Sequence, residues 1–359
     1  MSSTLERHAV AVGELLVGEG PAVVIGDRVS LRAHPAETDA YEVLREARGL
    51  PGTPGAWDAR GLPGGLAVEG DPEGARAGVG AREGAAVVLA EPRTAADLPA
   101  IAALADAVVV GAAWTRDIPL VRAAAELGLP VVVERRAGAP LEEWLGLADY
   151  CAVEGDGRVI LCERGPLDLG LLRAARTASG RPVLADVSAD PGLSPAAVAA
   201  GADGLIVHAP AHLRLAPAFP YGTPPLPRGG AVRRGTGQGA SDAEVEALTA
   251  WRVAEEAVTV VGALLRPESP ATIPECRAAI DRVDAALATL LERRAALAGT
   301  VQRLKPVGGF AGRDLARERA LVARMALRAP SLGEARLAPV MNAVIEAGLH
   351  LAEERARHL

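Results

Sequence analysis

From about residue 20 to residue 266, short runs of Val, Ile and Leu alternate with Ala-rich stretches of helical length, and this alternation limits the possible folds more than any other feature. Ala22–Ile25, Ala85–Leu89, Ala107–Val110, Pro130–Val133, Val159–Cys162, Pro182–Ala185 and Gly204–Val207 are short and almost continuously apolar. A strand that is apolar on both faces must be covered on both, which is the signature of a parallel sheet sheathed by helices. Helical segments lie between the runs, at Thr94–Leu104, Ile118–Leu127, Leu141–Ala148, Leu167–Ala178 and Pro195–Ala200. Seven or eight such units in about 245 residues fit an α/β fold of the (β/α)8 TIM-like barrel type, with an open doubly wound sheet as the runner-up. Pro51–Gly84 and Pro217–Gly239, the latter with an Arg233–Arg234 pair, are Gly/Pro-rich interruptions, and Ser241–Leu265 reads as the last helix of the barrel.

Past the linker Arg266–Pro274 the pattern changes completely. Ile280, Val283, Leu287, Leu290, Leu291, Leu297, Val301 and Leu304 form one stripe on a helix of roughly 30 residues, near 45 Å long at ~1.5 Å per residue. Pro306 and Gly308–Gly309 end it, a second helix runs from about Asp314 to Arg328, and a third from about Leu332 to Arg355. The expected organisation is a barrel over 1–266, a linker over 267–273 and an all-α three-helix domain over 274–359. A helix this long cannot bury its stripe against two shorter ones, so it needs a second copy or the barrel.

Composition excludes several functions. Half the residues are apolar but only 3% are aromatic, the net charge is −7, and no basic block exists, so nucleic acid is not an expected partner. No apolar run reaches the ~20 residues of a membrane span, and the N-terminal stretch lacks an export-signal layout, so a soluble cytoplasmic protein is expected. Cys151, Cys162 and Cys276 are too few and too scattered for a disulfide framework or a zinc site, and no cofactor or metal is expected.

The chain has 38 basic residues, and Lys305 is the only lysine among them. Arginine replaces lysine on a solvated surface but not where a compact ammonium is required. Lys305 lies eleven residues after Arg294, close to three full turns, so the two project from nearly one face about 16 Å apart. On the second helix Asp314, Arg317 and Glu318 share a face. Surface salt bridges would use the same residue types, but together these side chains describe a cationic pocket suited to a small dicarboxylate.

The segments CRAAIDRVDAALATLLERRAALAGTVQRLK, GRDLARERALV and VMNAVIEAGL resemble the all-helical class of chorismate mutases, from Pro274 to about Glu354. The family's spacing appears without a gap, with its lysine at Lys305, the one lysine of the chain. The resemblance implies conversion of chorismate to prephenate, a pericyclic shift that needs no proton transfer or covalent intermediate. It implies that Arg277, Arg294 and Arg317 clamp the two carboxylates, Lys305 faces the ether oxygen, Glu318 holds the ring hydroxyl and Asp314 helps to orient it. Arg277 lies about 100° off the face of Arg294. In the family this arginine comes from the partner subunit, which implies a homodimer with interleaved long helices. One departure is visible on the last helix. The family's Gln or Glu beside the lysine falls on Ala352, with Glu353 adjacent, and Glu353 would have to be protonated to donate.

Glu134–Gly165 resembles the core of DAHP synthases, which join phosphoenolpyruvate to erythrose 4-phosphate, and the likeness extends in order over about residues 15–266. A chorismate mutase fused to such a barrel is a known arrangement in that family. The family's site residues are largely replaced. Its metal-binding cysteine falls on Ala22, its metal-binding histidine on Ala189, its lysine before Arg135 on Glu134 and an arginine on Ala113, while Arg135, Glu163, Arg164 and Asp186 remain. Cys162 and His208 read as relics or core residues. The expected function is therefore a chorismate mutase carrying a degenerate barrel with a structural or regulatory role, and an active DAHP synthase is a candidate partner. A bifunctional synthase–mutase, a non-catalytic regulator of aromatic biosynthesis and a barrel with some other aldolase or lyase reaction are the alternatives.

Overall fold

The computed structural model describes residues 8–26, 28–49, 87–207, 242–265, 270–305 and 309–357. Pro51–Gly84, Pro217–Gly239 with its arginine pair, His208 and Pro306 lie outside the described residues. The chain divides into two compact units, Met1–Arg282 and Val283–Leu359, with the division falling inside one long helix.

In the first unit β1 (Val10–Val12) and β2 (Leu15–Val17) form an antiparallel hairpin. The barrel strands are β3 (Val23–Ile25), β4 (Val29–Ser30), β5 (Leu89–Glu91), β6 (Ala107–Val110), β7 (Val131–Glu134), β8 (Val159–Glu163), β9 (Val183–Asp186) and β10 (Gly204–Ile206). They pair in the order β3-β10-β9-β8-β7-β6-β5-β4, and every pairing is parallel. The two ends of that order, β3 and β4, are separated by only three residues of chain. Both pair in parallel, so this first stretch of chain meets β10 at β3 and β5 at β4, and the sheet curls round on itself. The TIM-like barrel implied by the apolar runs is the fold observed.

Helices α1 (Ala40–Ala47), α2 (Leu98–Leu104), α3 (Ile118–Ala125), α4 (Leu141–Glu154), α5 (Leu169–Ser179) and α6 (Ser194–Ala200) alternate with the strands. The expected last helix is α7 (Asp242–Glu256), which passes through a π-helical turn at Ala257–Val261 into α8 (Gly262–Leu265). The local causes are ordinary ones. Asp117 caps α3 and Asp168 caps α5 by accepting from backbone N–H groups two or three residues into each helix. Gly180 and Gly201, both with positive φ, end α5 and α6.

Strand residues alternate between two apolar clusters with period two. Val108, Val110, Val131, Val133, Val159, Leu161, Val183 and Leu205 face the helices. Leu89, Ala107, Val109, Val132, Ile160, Cys162, Leu184 and Ile206 face the barrel interior, which Val10, Val12 and Val17 of the hairpin help to fill. This parity decides which polar residues at the strand ends face the interior. Glu91, Glu134, Arg164 and Asp186 continue the inward set, whereas Arg135 and Glu163 continue the outward one.

Two polar contacts fix helices to strands. Trp144 of α4, 2% exposed, donates its indole N–H to the Val133 carbonyl at 3.0 Å. Asp203, fully buried just before β10, accepts from Arg176 of α5 through Nε and Nη2, both at 3.1 Å, and from the Val183 N–H at 3.0 Å.

The helical segments are α9 (Ile273–Leu304), α10 (Leu315–Ala326) and α11 (Gly333–Arg357). Val322, Leu337 and Met341 form a small core between α10 and α11. Of α9 only Ala286 is buried, and its apolar stripe remains open, with Leu287 50%, Leu297 63% and Leu304 80% exposed. Among the described residues no helix is long and apolar enough to cross a membrane.

The buried Asp203 gives a direct test of the packing. Asp203→Ala leaves Arg176 without its carboxylate and the Val183 N–H without its acceptor, which should cost about 3 kcal/mol. Urea unfolding should show a lower midpoint at unchanged slope. An unchanged midpoint would contradict this role.

Candidate active site

Within the second unit, α9, α10, α11 and the connection before α10 enclose a cavity of about 330 Å³. Arg294, Val301 and Gln302 line it from α9, Lys305 from just past the end of that helix, Arg313 and Asp314 from the connection, Arg317, Glu318 and Arg324 from α10, and Ile345 and Leu349 from α11. Five of the seven residues singled out from the sequence therefore meet at one place: Arg294, Lys305, Asp314, Arg317 and Glu318.

Arg294 and Lys305 are tethered without being neutralised. Arg294 Nη1 donates to the Val344 carbonyl at 3.3 Å, and Lys305 Nζ donates to the Gly312 carbonyl at 2.7 Å. Both acceptors are neutral backbone groups, so each cation is oriented and keeps its full charge. Among the described residues no carboxylate lies within ion-pair distance of Arg294, Lys305 or Arg317. Arg294 and Lys305 are half-buried and Arg317 is exposed, and a half-buried cation without an anion is costly and invites an anionic ligand.

The connection is shaped to bring that backbone in. Gly309, at φ 64°, donates its N–H to Gln302 Oε1 at 2.8 Å, and the Phe310 ring lies 5.0 Å from that of His350 of α11, tilted by 58°. Its backbone angle favours glycine, and the position where a Cβ would stand lies 2.7 Å from Glu353 Oε1, so this carboxylate sits close beside the turn. Asp314 caps α10, accepting from the Arg317 N–H at 2.9 Å. The residue given an orienting role in the sequence thus has a backbone role as well.

Two of the seven lie elsewhere. Arg277 is exposed, 17 residues before Arg294 on α9, about 26 Å along the axis. Glu353 packs its carboxylate against Gly309 and is not part of the cavity wall. Sequence reasoning missed Arg313, whose fork grips Glu318 through Nε at 3.1 Å and Nη2 at 2.7 Å. The carboxylate beside it holds that guanidinium even more firmly protonated. Gln302 was also missed. The available signal was its position three residues before Lys305, one turn away on the same face.

At the carboxyl ends of the barrel strands the charges cancel one another. Glu91, 3% exposed, accepts from Arg28 at 2.7 Å, from Trp114 Nε1 at 3.1 Å and from the Ser30 hydroxyl. Gly111 is necessary here because a Cβ would collide with Glu91 Oε1. Glu134, 1% exposed, meets Arg28 at 3.1 Å, Arg164 at 3.6 Å and the Ala112 N–H at 3.0 Å. Its burial pushes the carboxyl up in pKa, against the pull of Arg28. Arg164 also reaches Asp186 at 3.3 Å, and Arg135 holds the fully buried Glu163 through two 2.6 Å bonds on the outward side. The thiol of Cys162 is wholly buried and pushed well above its usual range, and that of Cys151 is pushed up to about 12, so neither serves as a nucleophile.

Comparison with known proteins finds two families. Residues 276–353 match chorismate mutase type II, and residues 76–168 match the DAHP synthetase I family. A phospho-2-dehydro-3-deoxyheptonate aldolase from Thermotoga maritima is 35% identical over 128 residues, which is 31% of this chain and 38% of that protein. The chain therefore spans less than two fifths of the length of this curated relative. Among solved structures, a truncated 3-deoxy-D-arabino-heptulosonate 7-phosphate synthase from Thermotoga maritima shares 26% identity at a TM-score of 0.40, covering 57% of this chain and 80% of that one. A phospho-2-dehydro-3-deoxyheptonate aldolase from the same organism shares 25% at 0.40, covering 57% and 65%. Two separate segments of one chain thus match two different family models, DAHP synthetase I over residues 76–168 and chorismate mutase type II over residues 276–353, and the cationic cavity lies within the second.

Proposed function

We propose that the domain at 274–359, following a barrel at 1–266 and a linker at 267–273, rearranges chorismate to prephenate. The observation that carries this reading is the set of cations, Arg294, Lys305, Arg317 and Arg324, lining a cavity of about 330 Å³ with no carboxylate paired to any of them among the described residues. The reaction breaks an ether C–O bond as a C–C bond forms, and no proton moves. A protein can supply only a compact bound conformer and charge opposite the ether oxygen as it becomes negative. Arginine forks suit carboxylates, so Arg294 and Arg317 hold the two ends of the substrate. Lys305 brings a point charge to the ether oxygen, where a planar fork would spread it. Glu318 accepts from the ring hydroxyl, and Asp314 fixes the start of α10.

In this reading Arg277 acts on a partner's cavity and the protein is a homodimer. The support is the open stripe of α9, whose Ile280, Val283, Leu287 and Leu290 are all about half exposed or more. A face this apolar on a 32-residue helix is unstable in water without a cover. Glu353, set against Gly309, assists through the shape of the connection.

The barrel in this reading does not make DAHP. Its mouth cations are spent on its own acids: Arg28 on Glu91 and Glu134, and Arg164 on Glu134 and Asp186. A phosphorylated substrate would have to displace these pairs. The donors for the family's divalent ion do not fit either. Ala22 and Ala189 have none, and among the described residues no three His, Cys, Asp or Glu side chains converge. The barrel's part is structural or regulatory, and the pathway implies a cytoplasmic setting.

Purified chain should consume chorismate, followed by its absorbance, and Lys305→Ala should lower kcat/KM by about 2–3 kcal/mol of transition-state stabilisation. Lys305→Arg should recover little of it. An inert wild type, or an unaffected Lys305→Ala, contradicts the assignment. The same preparation should leave phosphoenolpyruvate untouched when given erythrose 4-phosphate and a divalent metal, and its consumption would favour the bifunctional reading.

Sedimentation should show a dimer, with Leu287→Glu shifting it to monomer and lowering turnover. A fully active monomeric wild type would contradict the shared site.

A further inference from the structure

Arg313 stands apart from the other cations of the cavity because it is the only one that is anion-paired among the described residues. It follows the short turn Phe310–Gly312 and immediately precedes the cap of α10. Its fork takes both oxygens of Glu318, at 3.1 and 2.7 Å. The remaining donors reach α11, where Nη1 meets Glu346 Oε1 at 3.2 Å and Nη2 meets Asn342 Oδ1 at 2.7 Å. Asn342 in turn donates to Glu346 Oε1 at 2.9 Å, so the receiving side is itself braced. One guanidinium thus ties the connection, α10 and α11 together, at 18% side-chain exposure.

Glu318 shares a cavity with Arg294, Lys305 and Arg317, none of which has a carboxylate partner among the described residues. A glutamate in that company, if released, has every electrostatic reason to turn toward one of them. Pairing there would cancel the charge that the cavity offers a ligand. The bidentate hold is the strong form of the guanidinium–carboxylate contact and fixes direction as well as distance.

We propose that Arg313 is a positioning residue. By occupying both oxygens of Glu318 it keeps this carboxylate off Arg294, Lys305 and Arg317, and so preserves the cavity's free positive charge for a dicarboxylate substrate. The proposal rests on the mutase reading and deepens it, because a cavity selective for a dianion must be protected from the one acid in its wall that is also needed for the ring hydroxyl.

The test is the steady-state kinetics of full-length Arg313→Met, Glu318→Gln and the double variant, with thermal melting as a check on folding. Arg313→Met should raise KM for chorismate about tenfold or more, beyond any loss in kcat. Glu318→Gln alone loses kcat but keeps KM near the wild-type value. In the double variant, removing the freed negative charge should bring KM back toward that of Glu318→Gln, a non-additive result that a purely structural role does not produce. If Arg313→Met melts below the assay temperature, Arg313→Lys carries the same test. It keeps a cation but loses the fork, so it should show a smaller KM rise that Glu318→Gln again reverses. An unchanged KM in the single variant, or a raised KM that persists in the double variant, overturns the proposal while leaving the mutase reading intact. A wild type that does not turn over chorismate overturns both.

Discussion

The helical unit is organised around positive charge that is held in place but not neutralised. Arg294 and Lys305 are each tied to a backbone carbonyl, and a carbonyl orients a cation without supplying the negative charge that would satisfy it. Leaving such groups half-buried costs free energy. The length of α9 sets the spacing of those cations. Gly309, with its left-handed backbone, turns the chain so that the Gly312 carbonyl meets the ammonium. Asp314 starts α10, and Arg313 holds both oxygens of Glu318. Each of these local features helps to hold the cations of the cavity in place.

The barrel end shows the opposite solution to a similar problem. Glu91, Glu134 and Asp186 are buried, yet each is met by a guanidinium from another strand or loop. The acids and guanidiniums of this network are largely paired with one another, although Glu134 Oε1 is buried without a hydrogen-bond partner. Buried pairs of this kind are weak evidence for stability but are costly to break singly. The same fold class that elsewhere carries chemistry at its strand ends here carries a closed set of ion pairs, in keeping with the general rule that fold does not dictate function.

Much of this was legible in the sequence, for physical reasons. Short continuous apolar runs such as Ala107–Val110, Pro130–Val133 and Val159–Cys162 mark strands covered on both faces, and their number favoured a barrel over an open doubly wound sheet without deciding it. The isolated Lys305 in an arginine-only chain pointed to a position where a compact charge matters, and it lines the cavity. Other features were not legible. Arg135 and Arg164 look alike in a strand-end run, and only the parity of β7 and β8 separates the outward pair from the inward network. Arg313 is one arginine among many in Arg/Glu-rich helices. Its importance comes from Glu346 and Asn342, about thirty residues away and brought close only by the packing of α11. Glu353 was placed by alignment along a helix, but the fold turns its carboxylate toward Gly309.

The most direct test of the account is a calorimetric titration of the full chain with a stable bicyclic dicarboxylate shaped like the rearranging species. Free cations predict saturable binding at one site per chain, weakened about tenfold or more when Lys305 is replaced by alanine and weakened further by raised salt. Binding that is indifferent to Lys305, or no binding at all, would show that the charge in this cavity serves some other purpose.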